Sequence, residues 1–507
     1  MRVKKSFFNG ISNSLILVVR SILLFAVRIV FVRTLGKVYL GVDSLFTNLL
    51  MVLSITDLGV TTAINFNLYE PLSRKDYNKV SVLMTFYKKV YNILGIIVIC
   101  IGLAFTPFIH LLVNEPVEHL HFIFILYLLT TASSYFISYK DSLLNADQNQ
   151  YKSSLIVAST YITMYILRIV ALILLPNFIL YVLIQFVMLI IQRILVNRYI
   201  TKSYPQVDFN CKEKVPKKEQ KAMFKNVRSM FMNKLGTYLV NCGDNIIISA
   251  VPGLGVILVG IYSNYYSVTN TADTILARGI GGATSSFGDL AVSEGSETQE
   301  NVFNKLLFLT FLIYGLISVG FVFLLSPLIK ICFGSDFVLS KECVYLIAFN
   351  FYLIGSLKTL DVVKEATGNY VQDRYVNIIQ AVINIAVSIF LGIKFGLIGV
   401  ILGTTISYIV LPLWNRPYIA YKYIFNKKPF NYFKKQFIYL ISLLIIVVLI
   451  GLILNNIIIP NQILEFFIKG IIIVILYFVF ASIIFFKTDD YKYYYKLIKK
   501  RIIHQET

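Results

Sequence analysis

Apolar runs long enough to cross a bilayer, about 20 residues each, recur along the whole of this 507-residue chain. Inside hydrocarbon no water is available to the backbone, so only helices and closed barrels span a membrane. Barrel strands need only about 9–11 alternating residues, and these runs are longer and uniformly apolar. The expectation is an all-α polytopic membrane protein with about fourteen spans. They fall near 11–34, 44–66, 83–113, 120–141, 151–175 and 177–199, then near 229–250, 256–280, 303–328, 341–363, 375–394 and 396–421. A further pair lies near 436–454 and 464–486. Composition agrees, with 57% hydrophobic and 14% charged residues against about 45–50% and 25% in soluble domains. The first run, Ile11 to Thr34, is too long for a cleavable signal and carries Arg20 and Arg28, so it reads as a signal anchor.

The net charge of +21 would suit nucleic acid, but its distribution does not. Basic residues concentrate in alternate loops, among them Arg2, Lys4, Lys5, Arg74, Lys75, Lys79 and Lys152. The same side holds the run from Lys212 to Arg228, then Lys364 and Arg374, Lys427 to Lys435, and the tail from Lys492 to Arg501. The opposite loops hold Lys37, Lys330, Lys341 and Lys394. Under the positive-inside rule both termini are cytoplasmic and the number of spans is even. The expected organisation is a six-span lobe over 1–200, a basic linker over 201–228, a second six-span lobe over 229–425, an extra helix pair over 426–486 and a basic tail over 487–507. Linker and tail are placed to rest on anionic membrane lipids.

The two lobes carry a common signature. Leu35-Gly36-x4-Gly41-x2-Ser44 reappears as Leu254-Gly255-x4-Gly260-x2-Ser263, each copy at the junction of two apolar runs. Internally repeated membrane proteins are commonly transporters with the site between the repeats.

Polar side chains within spans are costly and belong in a protein interior or a wet cavity. At 100° per residue, Asn13, Ser14, Arg20, Ser21 and Arg28 share one face of the first span. On the second, Ser44, Thr47, Ser54, Thr61 and Asn65 cluster, with Asn48 beside them and Asp57 at the flank. Asn233, Thr237, Asn241, Asp244 and Asn245 align on the seventh. Ser263, Ser267, Asn270, Thr271, Thr274 and Arg278 align on the eighth, and Asn350, Lys358, Asp361 and Glu365 on the tenth. Two readings are open: a hydrated cavity shared by both halves, or hydrogen-bonded glue between packed helices. Arginines need water or anions, which favours the cavity.

Arg20 and Arg28 are the leading substrate contacts, because a guanidinium grips phosphate with two parallel bonds. Asn48, Asn241, Asn270 and Arg278 are further cavity candidates, and Arg168 could line it or pair. Asp57, Asp244 and Asp361 are candidates for carrying a coupling ion. The alternative is permanent ion pairing, Arg20 or Arg28 with Asp57 or Asp244, and Lys358 with Asp361 at i, i+3. The five cysteines lack metal-type spacing and read as apolar filler, with a Cys332–Cys343 bridge the alternative. His119-x-His121 lacks further ligands for a metal. No nucleophile–base arrangement, nucleotide loop or cofactor motif stands out, so an enzyme is not expected. Gly392, Gly396, Gly399 and Gly403 indicate close packing of spans eleven and twelve.

The Arg-bearing first span, Leu35-Gly36-x4-Gly41, Asp57-Leu58-Gly59 and Tyr69-Glu70-Pro71-Leu72 resemble polysaccharide flippases of the Wzx type. Asp244 followed by Gly255, Gly260, Tyr262 and Ser263 fits the same pattern. These flippases belong to the multidrug/oligosaccharidyl-lipid/polysaccharide exporter superfamily. The resemblance implies two six-helix lobes that move an undecaprenyl-pyrophosphate-linked oligosaccharide across the bacterial plasma membrane for capsule, O-antigen or exopolysaccharide synthesis. It further implies a cationic lumen at Arg20, Arg28 and Arg278, and partnership with a polysaccharide polymerase and chain-length machinery. An ion-coupled drug or cation antiporter of the same superfamily is one alternative, and would want an acidic cavity. A membrane glycan polymerase or ligase is another, and would want a large catalytic outer loop.

Overall fold

The computed structural model describes the backbone of residues 2–54, 60–147, 149–368 and 375–503. Side chains before Val19, and several around 55–66, 150–152, 222–242 and 498–507, lie outside the described residues. The described chain is helical throughout and forms two compact units, residues 1–260 and 261–507. Among the described residues ten helical segments are long and apolar enough to cross a membrane, and the protein is a multi-pass membrane protein.

Seven helices build unit 1. They are α1 (Arg2–Leu53), α2 (Val60–Ser73), α3 (Tyr77–Phe105), α4 (Leu120–Ala146), α5 (Gln150–Leu174), α6 (Phe178–Ser203) and α7 (Lys217–Ala250). The first two expected spans do not end and restart in a loop. Instead α1 continues for 52 residues through a bend at Gly36 (φ 82°, ψ −169°), so residues 44–53 belong to it. The next helix, α8 (Gly255–Gly281), begins on Gly255, which also has a positive φ of 78°. The first glycine of each repeat copy thus occupies a conformation that costs other residues about 1–2 kcal/mol. The second glycine of each copy serves contact. A Cβ on Gly260 would lie 2.6 Å from the Lys37 carbonyl oxygen, and one on Gly41 would collide with the carbonyl of Val256. The two copies therefore pack backbone to backbone.

The basic connection after α6 is docked rather than loose. Asp208 N donates to Ser81 Oγ at 2.9 Å and Cys211 N to Thr85 Oγ1 at 3.0 Å, both on α3. Phe209 is buried under Lys140, whose Nζ lies 4.1 Å from the ring centre. Tyr204 Oη donates to Asp147 Oδ2 at 2.6 Å, and burial, with that bond, pushes the phenol upward. Lys79 binds Glu219 at 2.8 Å, fastening the start of α7 to α3.

Unit 2 holds α9 (Thr284–Ser293), α10 (Ser296–Phe333), α11 (Lys341–Ser356), α12 (Lys358–Thr367), α13 (Val376–Phe395), α14 (Leu397–Val410) and α15 (Pro412–Ala420). It ends with α16 (Phe430–Leu454), α17 (Gln462–Phe485) and α18 (Asp489–Ile503). Two expected spans are broken in it. The tenth stops at Ser356 and restarts at Lys358. The twelfth breaks at Leu411, where Pro412 cannot donate to the preceding turn. Between α13 and α14 the glycine pattern does bring backbones together, since a Cβ on Gly403 would lie 2.6 Å from Ser388 Cα. Both terminal membrane helices seat on α10 through Phe308, Phe311, Tyr439 and Phe485, with Phe311 and Tyr439 stacked at 4.5 Å. Cys343 is a buried thiol and not half of a disulfide.

Candidate functional site

Each unit holds charged side chains on its long helices, and among the described residues they are held in place in different ways. In unit 1 the set lies on α1, α4, α5 and α6. The Arg20 guanidinium lies 3.7 Å from the ring centre of Tyr161 and interacts with Tyr165. Arg168 is 4% exposed, stacks 3.7 Å from the ring centre of Tyr181, and donates from Nε to the Tyr181 carbonyl at 3.2 Å. Its Nη2 donates to Gln185 Oε1. Arg28, partly buried, faces Asp43 and the same Tyr181. Tyr127 closes this end by donating to Asp43 Oδ1. Arg193 donates from Nη1 to the Thr130 carbonyl at 2.8 Å and faces Tyr161 and Asp141. Among the described residues, Tyr161, Tyr165 and Tyr181 thus lie against these guanidinium groups, with Asp43 near Arg28 and Asp141 near Arg193. A desolvated cation over an aromatic face gains about 2 kcal/mol. Rings therefore hold these arginines in place without cancelling their charge, as carboxylates would.

Unit 2 balances its charges. Asp273, on α8, accepts from Lys358 Nζ at 2.8 Å and from Tyr314 Oη at 2.9 Å. Asp361 accepts from Arg416 Nη1 at 2.8 Å, and Arg416 Nη2 reaches Asn377 Oδ1 at 3.5 Å. Lys358 is the first residue after the break between α11 and α12, and Arg416 follows the break at Pro412. Irregular backbone at membrane depth is tolerated where protein or water satisfies it. Here the breaks deliver cations to two carboxylates. The expected i, i+3 pairing of Lys358 with Asp361 is replaced by two pairs with other helices.

The remaining candidates are scattered. Asn48 Nδ2 turns back onto the Ser44 carbonyl of its own helix at 2.7 Å. Asp244 is buried at 9% exposure on α7, beside Asn245. Asn270 and Arg278 are exposed on α8. Asp57 and the side chain of Asn241 lie outside the described residues. Sequence reasoning passed over Arg193, Asp43, Asp273 and Arg416. An arginine at 193 within an apolar run is a visible signal of the same kind as Arg20. Asp43 sat in what read as a loop. Among the described residues no group of three or more His, Cys, Asp or Glu is arranged to hold a metal.

The fold is shared with solved flippase and multidrug transporter structures. A lipid II flippase, MurJ, in an inward closed conformation aligns over 94% of this chain and 99% of its own, at 18% identity and TM-score 0.70. An inward-facing multidrug resistance MATE family transporter of the MOP superfamily aligns over 80% and 98%, at 15% identity and TM-score 0.61. A MOP superfamily transporter from Pyrococcus furiosus, described as having a binding pocket of reversed polarity, aligns over 82% and 96% at 13% identity and TM-score 0.54. No curated protein matches in sequence. Residues 7–285, more than half of the chain, match the model of the polysaccharide biosynthesis protein family, and the chain belongs to that family.

Proposed function

We propose that this protein is a flippase that moves undecaprenyl-pyrophosphate-linked oligosaccharide units from the inner to the outer leaflet of the bacterial plasma membrane. The single observation that carries this reading is the set of arginines on α1, α5 and α6, Arg20, Arg28, Arg168 and Arg193, with Arg20 and Arg168 laid against tyrosine rings. Arginine within membrane helices is costly and marks places where polar or charged substrates pass. A pyrophosphate offers several acceptor oxygens to such forks. Arg20, Arg28 and Arg168 would bind the phosphates, and Tyr161 and Tyr165 would hold Arg20 in place. Each sugar hydroxyl entering hydrocarbon unshielded costs several kcal/mol, so a polar protein path lowers the barrier while the polyprenyl tail stays in lipid.

Membership of the polysaccharide biosynthesis family, and a fold shared with a lipid II flippase, support a lipid-linked glycan as substrate. No ATP motif was found, so ion gradients, the membrane potential or product consumption would drive net export. An inside-negative potential contributes about 2.3 kcal/mol per charge per 100 mV to outward movement of an anion. Asp57, Asp244 and Asp361 are the coupling-ion candidates, Asp244 being buried on α7 and Asp361 paired with Arg416. Cytoplasmic termini follow from the basic loops, and a polymerase with chain-length machinery would consume the product.

A cation antiporter would want unneutralised carboxylates, and in unit 2 Asp273 and Asp361 each carry a cationic partner. The reading is tested in vesicles holding pure protein and a fluorescent undecaprenyl-pyrophosphate oligosaccharide, with leaflet transfer followed by an impermeant quencher. Transfer that tracks protein content supports it. No transfer, with cation efflux in its place, overturns it in favour of the antiporter.

A further inference from the structure

Two adjoining cavities in unit 2 lie outside the ion-pair network. The larger, about 530 Å³, runs between α10 and α17 and is walled by Leu316, Gly320, Leu324, Phe466, Gly470 and Val474. The smaller, about 320 Å³, shares Leu324 and Phe466 with it and ends among Ser326, Lys330, Glu465 and Lys469. One apolar slot therefore opens onto a polar end bearing two lysines and one glutamate. Lys469 pairs with Glu465 at 2.5 Å, and Lys330 is exposed. The end keeps one net positive charge, on the side of the membrane opposite the basic loops, where lysine is rare in this chain.

Gly320 and Gly470 are not demanded by protein packing. A Cβ on Gly320 would meet nothing within 4 Å, and one on Gly470 only Leu324 Cδ1 at 3.7 Å. Glycine costs about 1 kcal/mol against alanine inside a helix. Two such glycines facing a void, rather than a neighbouring helix, indicate room kept for something outside the chain.

We propose that this slot is a binding site for an anionic glycerophospholipid, one acyl chain lying between α10 and α17 and its phosphodiester on Lys330 and Lys469. The apolar walls between α10 and α17 suit an acyl chain, and charge selects the headgroup. A phosphodiester brings one negative charge to an end with one net positive charge, and a zwitterionic lipid brings none. This inference does not depend on what the protein transports.

The test uses the full chain with its sole tryptophan, Trp414, changed to Phe and Phe467→Trp placed at the slot. Fluorescence is read in vesicles of phosphatidylcholine with increasing brominated phosphatidylglycerol or brominated phosphatidylcholine. The expected result is about fivefold stronger association of the brominated glycerol lipid, from one net positive charge. Lys330→Gln with Lys469→Gln should abolish that preference. Gly320→Leu, which has space to fold, should weaken quenching by both lipids. Equal quenching by the two lipids in the unaltered slot would mean bulk lipid contact only and would overturn the proposal. Relief of quenching by equimolar undecaprenyl phosphate would assign the slot to polyprenyl chains and overturn it equally.

Discussion

The two units solve the problem of charge in a membrane in different ways. Unit 2 pairs Asp273 with Lys358 and Asp361 with Arg416. Unit 1 sets Arg20 and Arg168 on tyrosine rings, with Asp43 near Arg28 and Asp141 near Arg193. Pairing cancels a charge, whereas a ring holds it and leaves it able to attract. The arrangement in unit 1 suits a site that an anion enters and leaves; that in unit 2 suits helices that must stay assembled around two breaks.

That contrast fails if arginine removal in unit 1 is as harmless to transport as it is tolerable to folding. Arg28→Ala should lower leaflet transfer of the lipid-linked sugar about 10–100-fold, the loss of about 1.5–3 kcal/mol carried by a hydrogen bond to a charged group. Arg28→Lys should recover part of it, since charge is kept but the fork is lost. Protein yield and melting temperature, measured alongside, should move little. In unit 2 the order reverses. Asp361→Asn removes the ion pair to Arg416 and should cost about 1.5–3 kcal/mol of stability, the worth of a hydrogen bond between charged groups. Adding Arg416→Gln should return most of it, and a double-mutant cycle read by thermal unfolding in detergent checks this. A double variant no more stable than the single would mean the pair is not a closed unit.

Smaller effects probe what the repeat does. Gly36→Ala and Gly255→Ala should each cost about 1–2 kcal/mol, because both sit at positive φ. Equal penalties would show that the two copies do the same mechanical work; a neutral result at either would mean that its bend is dispensable. Least of all, Lys79→Gln should cost under about 1 kcal/mol, since Lys79 and Glu219 are both exposed.

The sequence made much of this legible, and its gaps have physical causes. Long apolar runs leave helices as the one option, and the paired Gly-x4-Gly copies marked the repeat, but not that α1 runs on through the first copy or that the two copies touch. Arg20 and Arg28 stood out because arginine is expensive in an apolar run. The tyrosines that hold them did not, because tyrosine reads as apolar filler until a cation is placed over its ring. Asp273 lies about 60° outside the polar face of α8, since it turns toward Tyr314 and Lys358 instead. The break at Pro412 had a signal in proline itself, and the one at Leu357 had none. Arg416 could not be assigned a partner without knowing where those breaks point.

The most direct test of the account is calorimetric binding of undecaprenyl pyrophosphate to the purified protein, comparing Arg28→Ala in unit 1 with Lys358→Gln in unit 2. Each change removes one positive charge. The account predicts about tenfold weaker binding for Arg28→Ala, or about 1.4 kcal/mol, and unchanged binding for Lys358→Gln. Equal weakening by both changes, or none by Arg28→Ala, would contradict it.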